Sequence, residues 1–280
     1  MKSKVVKISI VGRTNAGKST LINKIIGEKI SIQNKKINTT QEMIIGIKNI
    51  KNTQILFYDT PGSNFLKNSN NKLKKLKQNL WNGIDESDLI LYIIDSHALN
   101  MRFLYDQIDK IKEVNKKIFI IFNKIDLISK KKLLPIISEI NNRCKIESFF
   151  TISAKNNIGI QELLTELIKY SYFSKWIYSK DEITNKDDKF ILSELLRETI
   201  LTYLHKEIPY NIRIITSHYK ILKSSEIKIK QKIYINEKRY KKIILGKNGS
   251  MIKKIRENCQ KKIKTVFGKK IHLYLELITQ

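Results

Sequence analysis

Apolar positions follow two rhythms along the 280-residue chain. In the first 172 residues, nearly continuous runs of Ile, Leu, Val and Phe alternate with stretches of helical period. The runs cover residues 5–11, 43–50, 54–59, 89–95, 117–123 and 148–153. Strands covered on both faces read this way, because neither side of the pleat can be polar. Helical spacing lies between most of them, at about 18–26, 102–114, 130–142 and 160–172. Repeated strand–helix alternation predicts a mostly parallel α/β sheet with helices on both faces, and ligands at the carboxyl ends of its strands.

Beyond residue 172 the pattern breaks. Residues 173–187 are polar and read as a linker. From 188 the order changes to a helix, two strands, two helices around Gly246–Gly249, and a last strand over 271–278. The expected organisation is an α/β domain over 1–172, a linker over 173–187, and an α+β domain of order α-β-β-α-α-β over 188–280.

The turn after the first strand changes the picture from architecture to chemistry. Gly12-Arg13-Thr14-Asn15-Ala16-Gly17-Lys18-Ser19-Thr20 spaces its glycines so that backbone N–H groups can curl around phosphate oxygens. A helix then opens with its positive dipole end facing them. Lys18 is expected to reach the β/γ-phosphates and the Ser19 hydroxyl to ligate Mg²⁺. The strand before and the helix after are the context this phosphate loop requires.

Three further strand ends specify the nucleotide. Asp59-Thr60-Pro61-Gly62-Ser63 places a carboxylate for Mg²⁺, through water, and a Gly62 N–H for the γ-phosphate. Asn123-Lys124-Ile125-Asp126 offers paired acceptors to guanine N1–H and its amino group, which adenine cannot satisfy. Ser153-Ala154-Lys155 completes the base pocket, with the Ala154 N–H meeting guanine O6. Asn-Lys-x-Asp recurs at Asn185–Asp188; that copy follows no apolar strand and reads as an accident of composition. Thr40, or its neighbour Thr39, is expected to close on Mg²⁺ only with the γ-phosphate present, as GTP switches do.

The residues after Gly62 are Ser63 and Asn64, not the glutamine that orients water in many GTPases. Slow hydrolysis is expected. Asn15 offers two readings: an oxygen that helps seat K⁺ beside the phosphates, or an asparagine that tolerates a turn conformation.

Charge adds a second partner. The formal net charge is +28. Part of it reflects a lysine-rich composition throughout, but residues 221–280 hold 17 Lys/Arg against 4 acids, and residues 1–180 hold 31 against 15. Such a balance points to a polyanion. Gly246-Lys247-Asn248-Gly249 between two helices looks like the G-x-x-G loop of a KH domain, with a plain helix-turn-helix as the alternative; the resemblance implies close approach of an RNA backbone, with Lys247, Lys253, Lys254 and Arg256 as phosphate contacts. The following stretch, 259–270, reads as a basic amphipathic helix that could touch anionic lipid. Cys144 and Cys259 lack metal-ligand spacing and fit a reducing compartment. No apolar run approaches the ~18 residues that cross a bilayer.

These motifs, with "NTT" followed by "IIGI", "EIPY" and the terminal "HLYLEL", resemble the Era family of GTPases along nearly the whole chain. The resemblance implies a P-loop GTPase domain followed by a KH domain. It implies a monomeric, cytoplasmic switch that hydrolyses GTP to GDP with Mg²⁺. Its partners would be the 3′ region of small-subunit ribosomal RNA and the small ribosomal subunit during maturation. Peripheral contact with the inner face of the cell membrane is also implied. Gln41 and Ser63 depart from the family's usual arginine and bulky apolar residue, which bears on switch closure and rate. Two other readings stand beside this one: a constitutive RNA-binding protein whose GTP site is structural, and a tRNA-modifying or signalling GTPase.

Overall fold

The computed structural model describes residues 2–28, 30, 43–61, 74–112, 115–143, 146–204 and 212–279. The chain divides into two compact units, residues 1–185 and 186–280.

Unit 1 is built on one sheet. Its path is β2 (Ile44–Ile50), β3 (Thr53–Asp59), β1 (Lys4–Gly12), β4 (Leu89–Asp95), β5 (Lys117–Asn123) and β6 (Ser148–Thr151). All neighbours along it are parallel except β2, which runs antiparallel to β3 at the edge. Five helices cross over: α1 (Lys18–Ile26), α2 (Lys74–Glu86), α3 (Met101–Lys112), α4 (Leu133–Arg143) and α5 (Ile160–Ile168). Leu80 and Ile84 of α2, Leu104 and Ile108 of α3, and Ile140 of α4 share one core with Ile90, Tyr92, Ile120 and Phe122 of the central strands. Burial on both faces is why these strands carry no alternation.

Helix α2 falls outside the helices read from the sequence. Its lysines and Gly83 mask an apolar stripe that Leu80 and Ile84 complete. Gly83 packs closely there: a Cβ would lie 3.1 Å from the Thr60 side chain and 3.3 Å from Met43 Sδ, so those side chains would have to give by a few tenths of an ångström. Helix α5 stops at Ile168, short of the expected 172, and Tyr172–Phe173 instead form β7, antiparallel to β1.

The segment 173–187 is not a free linker through most of its length. Residues up to Asn185 belong to unit 1 and run along its edge. The buried Gln54 holds it: Gln54 Oε1 accepts from the N–H groups of Ile177 (2.9 Å) and Tyr178 (3.0 Å), and Nε2 donates to Tyr178 O at 2.9 Å. Trp176 and Tyr178 cover the apolar patch of Val5, Ile45, Ile47, Leu56 and Tyr58. Ile47 N donates to Ile183 O at 2.9 Å. An antiparallel edge strand with open N–H and C=O groups calls for such a cover.

Unit 2 has the order α6 (Asp188–Tyr203), β8 (Ile212–Ile221), β9 (Ile227–Ile235), α7 (Lys238–Leu245), α8 (Ser250–Phe267) and β10 (Ile271–Thr279). The sheet order is β10-β9-β8, with β9 antiparallel to β8 and parallel to β10. Helix α6 starts at Asp187, whose carboxylate accepts from Phe190 N at 2.8 Å, an N-cap. Strand β9 alternates strictly: Ile227, Ile229, Gln231, Ile233 and Ile235 point inward. The apolar stripe of α8, Ile255, Cys259 and Ile263, is buried inside unit 2, so the amphipathic stretch read near 259–270 does not present it to lipid. Burial pushes the Cys259 thiol up to about 12, which makes it a core residue and not a reactive one. Among the described residues no helix is long and apolar enough to cross a membrane.

Candidate nucleotide site and nucleic-acid interface

The phosphate loop begins where β1 ends. Gly12 (φ 151°) lies against β4, and a Cβ there would sit 2.2 Å from Ile93 O. Gly17 (φ 102°) caps the N-terminus of α1, and a Cβ there would sit 2.2 Å from Asn123 Nδ2. Both positions exclude any side chain, so the glycine spacing is a packing requirement as well as a conformational one. Asn15 sits at φ 69°, a conformation asparagine tolerates, and so fills the turn role read for it. The Arg13 guanidinium stacks over Phe103 of α3 at 4.7 Å.

Lys18 is buried at the start of α1. Its Nζ donates to Gly12 O (3.0 Å) and Arg13 O (3.1 Å), so the loop's own carbonyls hold the ammonium inside the curl. Burial lowers its pKa to about 8, against a smaller upward pull from Asp59. A buried cation at the N-terminus of α1, held at this cost, suits an anion.

Asp59 ends β3, fully buried, and Oδ2 accepts the Ser19 hydroxyl at 3.0 Å. Thr60 Oγ1 donates to Ile10 O at 2.6 Å and ties the same strand end to β1. One hydroxyl and one carboxylate beside a phosphate cradle fit Mg²⁺, which takes few protein ligands and completes its shell with phosphate oxygens and water. Among the described residues no cluster of three or more His, Cys, Asp or Glu offers an all-protein metal site.

The residues expected to read the base come from three strand ends. Asn123 Nδ2 donates to Ala16 O at 2.9 Å and Oδ1 accepts from Ala154 N at 3.0 Å, so one amide braces the phosphate loop against the 153–155 turn. Asp126 lies in a single helical turn after Asn123, exposed, and Oδ1 accepts from Ser153 Oγ at 2.6 Å. That hydrogen bond is the main cause holding the Asp126 carboxyl below its usual range, with Lys155 and Lys124 adding to it. Asp126 is therefore an ionised acceptor at neutral pH. Lys124 stands at φ 64° and its ammonium pairs with Asp95 at the end of β4. Asp95, which the sequence motifs do not include, holds the Lys124 side chain from the end of a buried strand.

In unit 2, Gly246 (φ 71°) ends α7 and Gly249 (φ 75°) precedes α8, with Asn248 at φ 50° between them. A Cβ on Gly246 would lie 2.7 Å from Met251 Cβ, so this turn geometry favours glycine there. Gly249 N donates back to Gly246 O at 3.2 Å. Lys247, Asn248, Lys253, Lys254 and Arg256 are all exposed around it. Lys254 stacks on Tyr203 of α6 at 5.0 Å.

Residues 7–124 match the family model described as "50S ribosome-binding GTPase", and residues 203–280 match that of the KH domain. A GTPase Era of Rickettsia conorii is 38% identical over 272 residues, covering 97% of this chain and 79% of its own. That of Agrobacterium fabrum is 33% identical over 268 residues, covering 96% and 84%. The chain belongs to the Era family of GTPases.

Solved Era structures are similar to this chain. One, in complex with MgGDPNP and nucleotides 1506–1542 of 16S ribosomal RNA, has a TM-score of 0.89 at 29% identity, covering 99% of this chain and 94% of that one. An Aquifex aeolicus Era variant bound to GDP·AlF4⁻ has a TM-score of 0.88 at 28% identity, covering 100% and 94%. The P-loop GTPase fold and the α-β-β-α-α-β KH fold expected from the sequence are both present in this Era-family chain. Of the expected Era-type site residues, Gly12–Thr20, Asp59–Pro61, Asn123–Asp126 and Ser153–Lys155 converge on the carboxyl ends of β1, β3 and β5 and the loop beyond β6. Thr39, Thr40, Gln41, Gly62, Ser63 and Asn64 lie outside the described residues, as does Cys144.

Proposed function

We propose that this chain is a slow GTP-hydrolysing switch whose nucleotide state governs binding to the 3′ region of small-subunit ribosomal RNA, and that it assists maturation of the small ribosomal subunit. The observation that carries the reading is Lys18, buried among the carbonyls of a phosphate loop and next to the Ser19–Asp59 hydrogen bond, in a chain that also carries a KH glycine loop. A purely structural nucleotide would not need a buried lysine to meet its outer phosphates.

In this reading Lys18 binds the β- and γ-phosphates, and the N–H groups from Gly12 to Thr20 cradle them. Ser19, Asp59 and Thr40 hold Mg²⁺, whose charge offsets that building on the phosphates. Gly62 donates to the γ-phosphate. Asp126 and Ala154 read guanine, and Asn123 holds their loops together. With no glutamine after Gly62, turnover depends on charge supplied elsewhere, and K⁺ seated with help from Asn15 supplies it. Gly246–Gly249 lets RNA approach, and Lys247, Lys253, Lys254 and Arg256 draw its phosphates. Contact with the inner face of the membrane would come from exposed basic side chains, since the apolar stripe of α8 is buried.

Fluorescence anisotropy with a ribosomal RNA 3′-end fragment, in GDP and in a non-hydrolysable GTP analogue, tests the switch. Affinities should differ by ~5- to 150-fold, the range of ordinary coupling energies. Lys247→Asp with Asn248→Asp should weaken RNA binding and leave GTP binding intact. Equal affinity in both nucleotide states would favour two independent modules.

A further inference from the structure

A cavity of about 270 Å³ lies in unit 1 between the phosphate loop, the end of β4 and the first turn of α3. Protein interiors leave few voids larger than a water molecule, and ligand pockets start at ~300 Å³, so this space is of ligand size. It shares Arg13, Thr14 and Asn15 with the phosphate cradle. None of Lys18, Ser19, Asp59, Asn123 or Asp126 lines it. It is therefore a second space against the same loop, and not the nucleotide site itself.

Its walls fall into two parts. Tyr92 of β4, with Leu99, Phe103 and Leu104 at the start of α3, supplies an apolar body; Tyr92 and Leu104 are buried and the other two half-buried. The polar part gathers at the loop. Thr14 Oγ1 is buried and has no hydrogen-bond partner. A buried hydroxyl left unpaired is costly, and a ligand atom in this cavity would pair it. Asn100 caps α3, its Oδ1 accepting from Phe103 N at 2.9 Å, which leaves its Nδ2 as a donor.

Charge sets the class of ligand. Two charged side chains line the cavity. Asp95 is already taken up: one oxygen pairs with Lys124 and the other accepts from His97 N at 3.1 Å. Arg13 is exposed and stacks on the Phe103 ring at 4.7 Å, and its guanidinium meets no carboxylate among the described residues. A planar fork of donors beside an apolar chamber suits a carboxylate on an apolar body.

We propose that this cavity is an effector site for a small carboxylic acid with an aromatic or branched aliphatic body, and that its occupancy tightens nucleotide binding. The acid group meets Arg13 and the Thr14 hydroxyl, and the body packs on Tyr92 and Leu104. A ligand so placed ties Arg13–Asn15 to α3 and holds the phosphate loop in its curled form. Coupling is reciprocal: whatever factor the acid adds to GDP affinity, GDP adds to that of the acid. The proposal rests on the nucleotide site and is independent of the RNA-binding reading.

The test uses the full-length chain, GDP-bound and nucleotide-free, titrated calorimetrically with indole-3-propionate and with its neutral amide. The acid should bind with millimolar affinity, the level ordinary ligand efficiency gives a molecule of this size. The amide should bind ~2- to 5-fold more weakly, as loss of an exposed ion pair predicts. Arg13→Gln should level the two. Ala98 is exposed at the cavity wall, so Ala98→Trp should block the probe while leaving the melting temperature and the GDP affinity measured without probe unchanged. In wild type, saturating acid should raise GDP affinity; in Ala98→Trp it should not. Absence of probe binding in both nucleotide states, full binding by Ala98→Trp, or equal binding of acid and amide by wild type overturns the proposal. So does displacement of the probe by GDP, which would put it in the nucleotide cradle, or a GDP affinity that saturating probe leaves unmoved. Failure of wild type to bind GDP would instead sink the nucleotide-site reading, and the probe titration of the nucleotide-free chain would still decide for or against the cavity.

Discussion

Asn185 grips Ile45 from both sides of its peptide: the Asn185 Oδ1 accepts from Ile45 N at 2.9 Å, and Asn185 N donates to Ile45 O at 3.3 Å. Asn185 is the last residue of unit 1, and Asp187, two residues on, caps the first helix of unit 2. Ile45 sits near the start of β2, the strand that follows the segment holding Thr40. The second Asn-Lys-x-Asp copy therefore has a structural use: its asparagine closes the edge of one unit, and its aspartates begin the other.

Asn185→Ala should destabilise unit 1 by about 1 kcal/mol, because a part-buried N–H of Ile45 loses its acceptor. Asn185→Asp keeps an acceptor and should lose less. Thermal melts of the three proteins decide this, and an alanine variant that melts with wild type would show the grip to be idle.

Guanine selectivity should run through Asp126. Asp126→Asn replaces a paired acceptor by a donor and an acceptor, which suits xanthine; competition between GTP and xanthosine triphosphate should shift by ~10²-fold or more toward the latter. Ser153→Ala removes the hydrogen bond that positions the carboxylate and should weaken GTP binding less, by about tenfold. Preference unchanged in Asp126→Asn would remove that residue from the base pocket.

Lys18 gives the nucleotide-free chain and the complex opposite pH responses. In the folded chain its pKa is lowered from 10.5 to about 8. Below pH ~8 both folded and unfolded forms hold the proton, and the cost of burying the charge is present in full. Between those two values the unfolded chain binds more protons, so Lys18's contribution to stability rises with pH there. Phosphate binding needs the charged form. Nucleotide affinity should be level below about pH 8 and then fall by up to ~10-fold per pH unit. Calorimetric titration of GDP from about pH 7 to 9, with Lys18→Met as control, measures it; a flat profile in wild type would mean that Lys18 keeps its proton throughout.

K⁺ should raise turnover over Na⁺ at equal ionic strength, and Asn15→Ala should erase the difference. Asn15→Gly keeps the φ 69° turn without the side-chain oxygen, so it separates the two roles of this residue. If Asn15→Gly retains the K⁺ response, the side chain serves the turn alone.

Features that depend on neighbours a few residues apart are legible in the order of residues. The curl from Gly12 to Ser19, the capture of Lys18 by Gly12 and Arg13, and the turn at Gly246–Gly249 are local, so glycine spacing and helix onset suffice to specify them. Buried parallel strands also announce themselves, since covering both faces leaves nothing polar to alternate. Contacts that join distant segments come from the fold. Asn123 reaches Ala16 across 107 residues because β5 and β1 flank β4 in one sheet. Gln54, a polar residue in an apolar run, looks like an exception until residues 176–178 lie beside it and satisfy its amide. Side-chain patterns record which face of an element is buried; they do not record which strand lies next to it, because that is fixed by the packing of the whole sheet.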